Sequence, residues 1–263
     1  MRPIPLWLRA LFLINVVLLA PQGIGLFSPG NIPFPVSVSP LNARFIGALY
    51  LAAAVGMVLS ALGDDLADIR IFLFGFAVIA LLVLVVTFAY WSDFAATRVP
   101  VVWLATYVVD PVAAAAALVA LRPLRPARPG AHRLTMLLVL ESALFGVLGI
   151  VLVVIPGMAT LIWPWKITVL LARVYGAFLL AFAVGALLAA SEARPAAILP
   201  TVASTAAFAA LSLIASSLHL DRFTPVLASG IWFGILALTL VAFAAALVWL
   251  LWPPARPALA PGR

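Results

Sequence analysis

Two acids stand where water does not ordinarily reach. Asp110, in TYVVDPVAAAAALVAL, and Glu141, in LTMLLVLESALFG, each lie inside a run of apolar residues. An ionisable group at bilayer depth is costly to bury, so where one occurs it marks a proton carrier, a cation ligand or a side chain held by a partner. Pro111 follows the first of them, freeing a backbone carbonyl where a helix would otherwise use it. Two arginines head other apolar runs, Arg44 in LNARFIGALYLAAAVG and Arg173 in LLARVYGAFLLAFAVG. An unpaired arginine at the centre of a bilayer costs ~2.5–3.5 kcal/mol on insertion scales, and less near the surface. Each is therefore expected to have a partner. Asp93 in TFAYWSDF and Asp221 in SSLHLDRF fall at the same level, so the expectation is one ion pair per arginine, Arg44 with Asp93 and Arg173 with Asp221. The competing reading sets both arginines around an outward-facing vestibule, where their planar donors suit a carboxylate, a phosphate or a lipid headgroup. His219 and Tyr90 accompany these segments. The histidine titrates near neutrality, whereas the tyrosine points to an aromatic, hydrogen-bonding role.

The chemistry that is missing narrows the field. No G-x-S-x-G, Walker or H-E-x-x-H pattern occurs in the sequence. There is no cysteine, and the two histidines are too few for most histidine-built metal centres. The acidic turn GDDLAD offers Asp64, Asp65 and Asp68 to a hard cation only weakly and reads as a solvated connection. No cofactor and no metal are implied. A membrane-embedded enzyme would need a clustered constellation that these residues do not supply.

The elements that must carry these residues follow from composition. Of 263 residues, 67% are hydrophobic and 9% charged, with a mean hydropathy of +1.27. So much apolar surface does not fit inside one water-soluble core, so the chain reads as an all-α integral membrane protein. Runs of the required length, about 20 residues, fall near 5–21, 41–62, 70–91, 99–121, 134–156, 167–190, 196–218 and 226–252. The first is interrupted by Arg9 and lacks a small-residue cleavage site, which makes it an uncleaved helix. The net charge of +7 does not indicate nucleic acid, because the basic residues sit between spans. Ten of them (Arg2, Arg9, Arg70, Arg122, Arg125, Arg128, Arg133, Arg194, Arg256 and Arg263) fall on one side. Arg44, Arg98, Lys166, Arg173 and Arg222 fall on the other. This bias places both termini in the cytoplasm of a bacterial-type inner membrane.

Arg173 follows Arg44 by 129 residues, and ten of the sixteen positions in the two quoted stretches are identical. The same offset pairs Pro35 with Pro164, Phe94 with Phe223, Trp103 with Trp232 and Tyr90 with His219. We read a tandem duplication of a four-helix unit: 1–122, a basic Pro/Arg linker at 123–133, a second unit at 134–255 and a short tail at 256–263. Four helices per unit give two same-orientation repeats with a pseudo-two-fold axis along the membrane normal. Asp110 meets Thr239 at this offset, and neither deep acid has an acidic counterpart. Small residues follow each arginine every fourth position, Ala48, Ala52 and Gly56 or Ala177, Ala181 and Gly185, a face for close helix packing. The proline-spaced aromatics of PGNIPFPVSVSP and PGMATLIWPWKIT read as an interfacial aromatic belt, or as a segment covering the mouth of each unit.

Two functional readings remain. One is a non-catalytic membrane subunit or scaffold packing against partner helices or lipids. The other is a transporter or binding protein for a small solute, anion or lipid. The expected partners are membrane lipids, other integral membrane subunits or further copies of the chain, and not nucleic acid.

Overall fold

The computed structural model describes residues 3–28, 35–95, 101–121, 132–224 and 226–252. Eight long helices, each apolar enough to cross a membrane, make the chain a multi-pass membrane protein. They are α1 (Leu6–Phe27), α2 (Pro40–Leu62), α3 (Arg70–Ala89), α5 (Val101–Leu121), α6 (Thr135–Val154), α8 (Val169–Ala190), α9 (Pro195–Ser217) and α10 (Val226–Leu251). Two short helices intervene, α4 (Trp91–Ala95) and α7 (Pro156–Ile162). Among the described residues there is no strand, only an isolated bridge between Pro3 and Asp65. Arg2, Arg98, Arg122, Arg125, Arg128, Arg256 and Arg263 lie outside the described residues.

The ends of the helices follow from local chemistry. Ser39 accepts a hydrogen bond from the Asn42 amide, and Pro40 supplies the preset φ of a first helical residue. Thr168 accepts from the Leu171 amide in the same way at the start of α8. Arg9 closes the far end of α2, donating to the carbonyls of Ala61 and Gly63 at 2.8 Å each. His132 and Thr135 do the same for α8, contacting the carbonyls of Ala189 and Ala190 at 3.0 and 3.1 Å. The expected first span stops at Pro21, but α1 runs on to Phe27 with that proline inside it. In an apolar medium a continued helix satisfies more backbone groups than a loop would.

The helices form two layers. In α2, α8 and α9, 67% of the spanning window is buried, against 28% in α1, α5 and α6 and 17% in α10. The inner packing crosses the chain midpoint: α2 lies on α9 and α3 lies on α8, while α2 and α3 barely touch. Around this centre α1 packs on α2, α6 on α8, α5 on α3 and α10 on α9. Within lipid, such contacts depend on close van der Waals fit rather than exclusion of water. Glycine provides it where backbones meet. A Cβ on Gly47 would stand 2.7 Å from the Gly23 carbonyl oxygen, and one on Gly176 would stand 2.8 Å from that of Gly149.

The helices α2 and α8 begin at one end of the bundle, here called the upper end, beside a shared cleft. Both finish at the lower end, where Arg194 joins the two following connections. Its guanidinium pairs with Asp68 at 2.8 Å and Glu192 at 3.1 Å and donates to the Ala67 carbonyl at 2.9 Å. Burial pushes the Asp68 carboxyl up from its ordinary pKa, against the opposing pull of Arg194. The GDDLAD turn is thus a fastening between connections. Asp65 also accepts from the Ala67 amide at 3.0 Å, and no metal-holding cluster occurs among the described residues.

Candidate functional site

The upper end holds the arginines, but not with the expected partners. Among the described residues no ion pair joins Arg44 to Asp93 or Arg173 to Asp221. Asp221 instead pairs with its neighbour Arg222 at 2.8 Å, and Asp93 lies exposed on α4. Arg44 donates from Nε to the Phe27 carbonyl at 3.1 Å, and its Nη1 meets Nε2 of His219. The Arg173 guanidinium lies over the Tyr90 ring, 5.2 Å from its centroid, a cation–π contact. The helix pairing is the physical reason. Since α2 packs on α9 and α8 on α3, each arginine faces the aromatic residue ending the inner helix of the opposite half. It does not face the acid that follows its own. Burial, and then the charge of Arg44, hold the His219 pKa below its ordinary value. The ring is therefore neutral at pH 7 and presents a lone pair to the guanidinium.

Beside this contact lies a hub that sequence reasoning missed. Asn42, in the first turn of α2, is buried. Its Oδ1 accepts from the Trp165 indole at 2.7 Å and the Tyr175 hydroxyl at 3.0 Å, and its Nδ2 donates to the Lys166 carbonyl at 3.2 Å. The segment Trp163–Pro164–Trp165 descends from α7 into the interior, where Trp165 stacks edgewise on Phe45 and Trp232, with centroids 5.3 and 5.1 Å apart. Both tryptophans are buried, so this segment plugs the upper end and is not part of a lipid-facing belt. The one available signal was an amide, Asn42, inside an otherwise apolar run.

The upper cleft has a volume of about 340 Å³. One wall is the lead-in to α2, from Ser37 to Asn42; the other is the lead-in to α8, with Lys166 and Thr168; His219 and Arg222 complete it. Neither Arg44 nor Arg173 lines it.

The deep acids lie apart. Asp110 is buried between α5 and α1, accepting at Oδ1 from Asn15 Nδ2 at 3.0 Å, and the same amide donates to the Leu11 carbonyl. A cavity of about 30 Å³ adjoins it, lined also by Tyr50 and Tyr107, enough for a water or two but not a solute. Glu141 joins α6 to α9, accepting at Oε1 from the Thr205 hydroxyl at 2.7 Å, while Oε2 is buried without a partner among the described residues. At the positions 129 residues earlier in the chain, Phe12 and Phe76 meet edge to face with centroids 6.0 Å apart. Comparisons with protein-family models, with curated proteins and with solved structures give no match, so the functional reading rests on the residues themselves.

Proposed function

We propose that the chain is a non-catalytic membrane scaffold, made of two same-orientation copies of a four-helix unit, that associates through α10. The 129-residue offset supports the duplication. At this offset α1 on α2 corresponds to α6 on α8, α2 on α9 to α8 on α3, and α5 on α3 to α10 on α9. The arginine contacts correspond too, Arg44 with His219 and Arg173 with Tyr90. In this reading both termini face the cytoplasm, as the distribution of basic residues indicates.

One observation carries the scaffold reading. Among the described residues, Gly230 and Gly234, one turn apart on α10, have nothing within 4 Å of where a Cβ would stand, whereas Gly47, Gly56, Gly149 and Gly176 are pressed against neighbouring helices. The G-x-x-x-G spacing makes a shallow groove suited to a second membrane helix, and Leu227, Ile231 and Leu238 stand exposed beside it. With these apolar flanks, the groove matches an equally small and apolar face, which α10 of a second copy provides.

Because the chain contains no cysteine, Ile231→Cys gives a single reporter. In membranes treated with a copper–phenanthroline oxidant it is expected to form a disulfide-linked dimer, and Gly230→Ile with Gly234→Ile in the same chain abolishes that dimer while leaving the unfolding temperature unchanged. A reporter that stays monomeric, or that cross-links only to a different protein, contradicts pairing between copies.

A further inference from the structure

We propose that the upper cleft is a binding site for an anion bearing a phosphate group. The site does not depend on the scaffold reading. Two cationic side chains, Lys166 and Arg222, line it together with the neutral His219 ring and the hydroxyls of Ser37, Ser39 and Thr168, and among the described residues no carboxylate is in its lining. Lys166 is exposed, and among the described residues it has no ion-pair partner. Arg222 is paired with Asp221, but both side chains are 69% exposed. Such a surface pair is weak and exchanges readily for a better-placed anion.

The backbone adds to this field. Two long helices, of 23 and 22 residues, begin at the cleft. Their capping hydroxyls each satisfy one first-turn amide, leaving others directed outward with the positive ends of both helix dipoles. Two helix starts and two cationic side chains around one cavity favour a multiply charged oxyanion over a single carboxylate. The volume of about 340 Å³ admits a phosphate ester and is far larger than a bare halide requires. The wall is also fixed in advance, because Asn42 holds both the Trp165 indole and the Lys166 carbonyl. Preorganisation of this kind lowers the ordering cost of binding.

The cleft opens where spanning helices begin, at headgroup depth, so the phosphate belongs either to a soluble ester or to a phospholipid. The test uses the full-length chain in two settings. In lipid-free detergent, glycerol phosphate is titrated by calorimetry. In nanodiscs of phosphatidylcholine, with or without phosphatidylglycerol, protection of Lys166 from amine-reactive labelling is followed. Saturable binding of glycerol phosphate, weakened at least about tenfold in Lys166→Ala/Arg222→Ala and largely kept in Lys166→Arg, assigns the site to a soluble ester. Protection seen only with phosphatidylglycerol, and lost in Arg222→Ala, assigns it to the lipid. Neither substitution touches the buried hub, so an unchanged unfolding temperature shows that the variants are folded. Absence of both binding and protection, or binding indifferent to the double substitution, overturns the proposal.

Discussion

Replacing Asn42 with leucine is expected to lower the unfolding temperature of the purified protein by about 10 °C. Asn42 is 4% exposed and holds three groups at once, the Trp165 indole, the Tyr175 hydroxyl and the Lys166 carbonyl. Leucine fills the space but accepts nothing, which strands two buried donors. Each stranded donor costs ~1–3 kcal/mol, and each kcal/mol is worth roughly 2–4 °C in a chain of this size. The same reasoning predicts rescue. Trp165→Phe and Tyr175→Phe remove the stranded donors, so the triple variant recovers part of the loss even though it has fewer polar groups than the single one. Thermal unfolding in detergent measures both effects, and a single variant as stable as the parent would remove Asn42 from its place at the centre of the upper end.

The second large effect is expected at the glycine crossings. In Gly47→Ala the new methyl would lie 2.7 Å from the Gly23 carbonyl oxygen and 2.9 Å from the Phe27 nitrogen. In Gly176→Ala it would meet a Val153 methyl at 2.7 Å and the Gly149 oxygen at 2.8 Å. A side chain can rotate away, but helix backbone cannot, so α1 must lift from α2 and α6 from α8. Overpacking of this kind costs ~1–3 kcal/mol per site. The two crossings share no partner residue, so the costs should add. Gly230→Ala and Gly234→Ala are the internal controls: with no described residue within 4 Å, they leave the monomer's stability unchanged or raise it slightly through helix propensity. Equal losses at all four positions would contradict the close crossings.

The spans were legible because lipid permits little else. A backbone crossing hydrocarbon must satisfy its own hydrogen bonds, so long apolar runs translate almost directly into helices. Partners were less legible. The inner helices α2, α8 and α9 carry apolar residues on every side, so no single apolar stripe indicates which neighbour each face meets, and adjacency in sequence suggested α3 for α2. That assumption moved the expected partner of Arg44 from His219 to Asp93. The 129-residue spacing of Tyr90 and His219, the same as that of Arg44 and Arg173, was visible in the sequence, but their contacts with these arginines depend on tertiary packing. Asp110 and Glu141 stood out as charges, while their hydrogen-bond partners Asn15 and Thr205 did not, being ordinary polar residues in apolar helices. The buried tryptophans resembled a belt because proline-spaced aromatics suit a membrane interface as well as a plug.

The central claim is that the two halves of the chain interlock, α2 on α9 and α3 on α8, so that neither has a complete core of its own. The direct measurement is to divide the chain within 122–131, place a tag on one piece, and express the pieces together and singly. The interlocked arrangement predicts that the untagged piece purifies with the tagged one in equal amounts, as a monodisperse complex, and that each piece alone aggregates or is degraded. Two pieces that each purify alone as stable, monodisperse proteins and do not bind one another would contradict it.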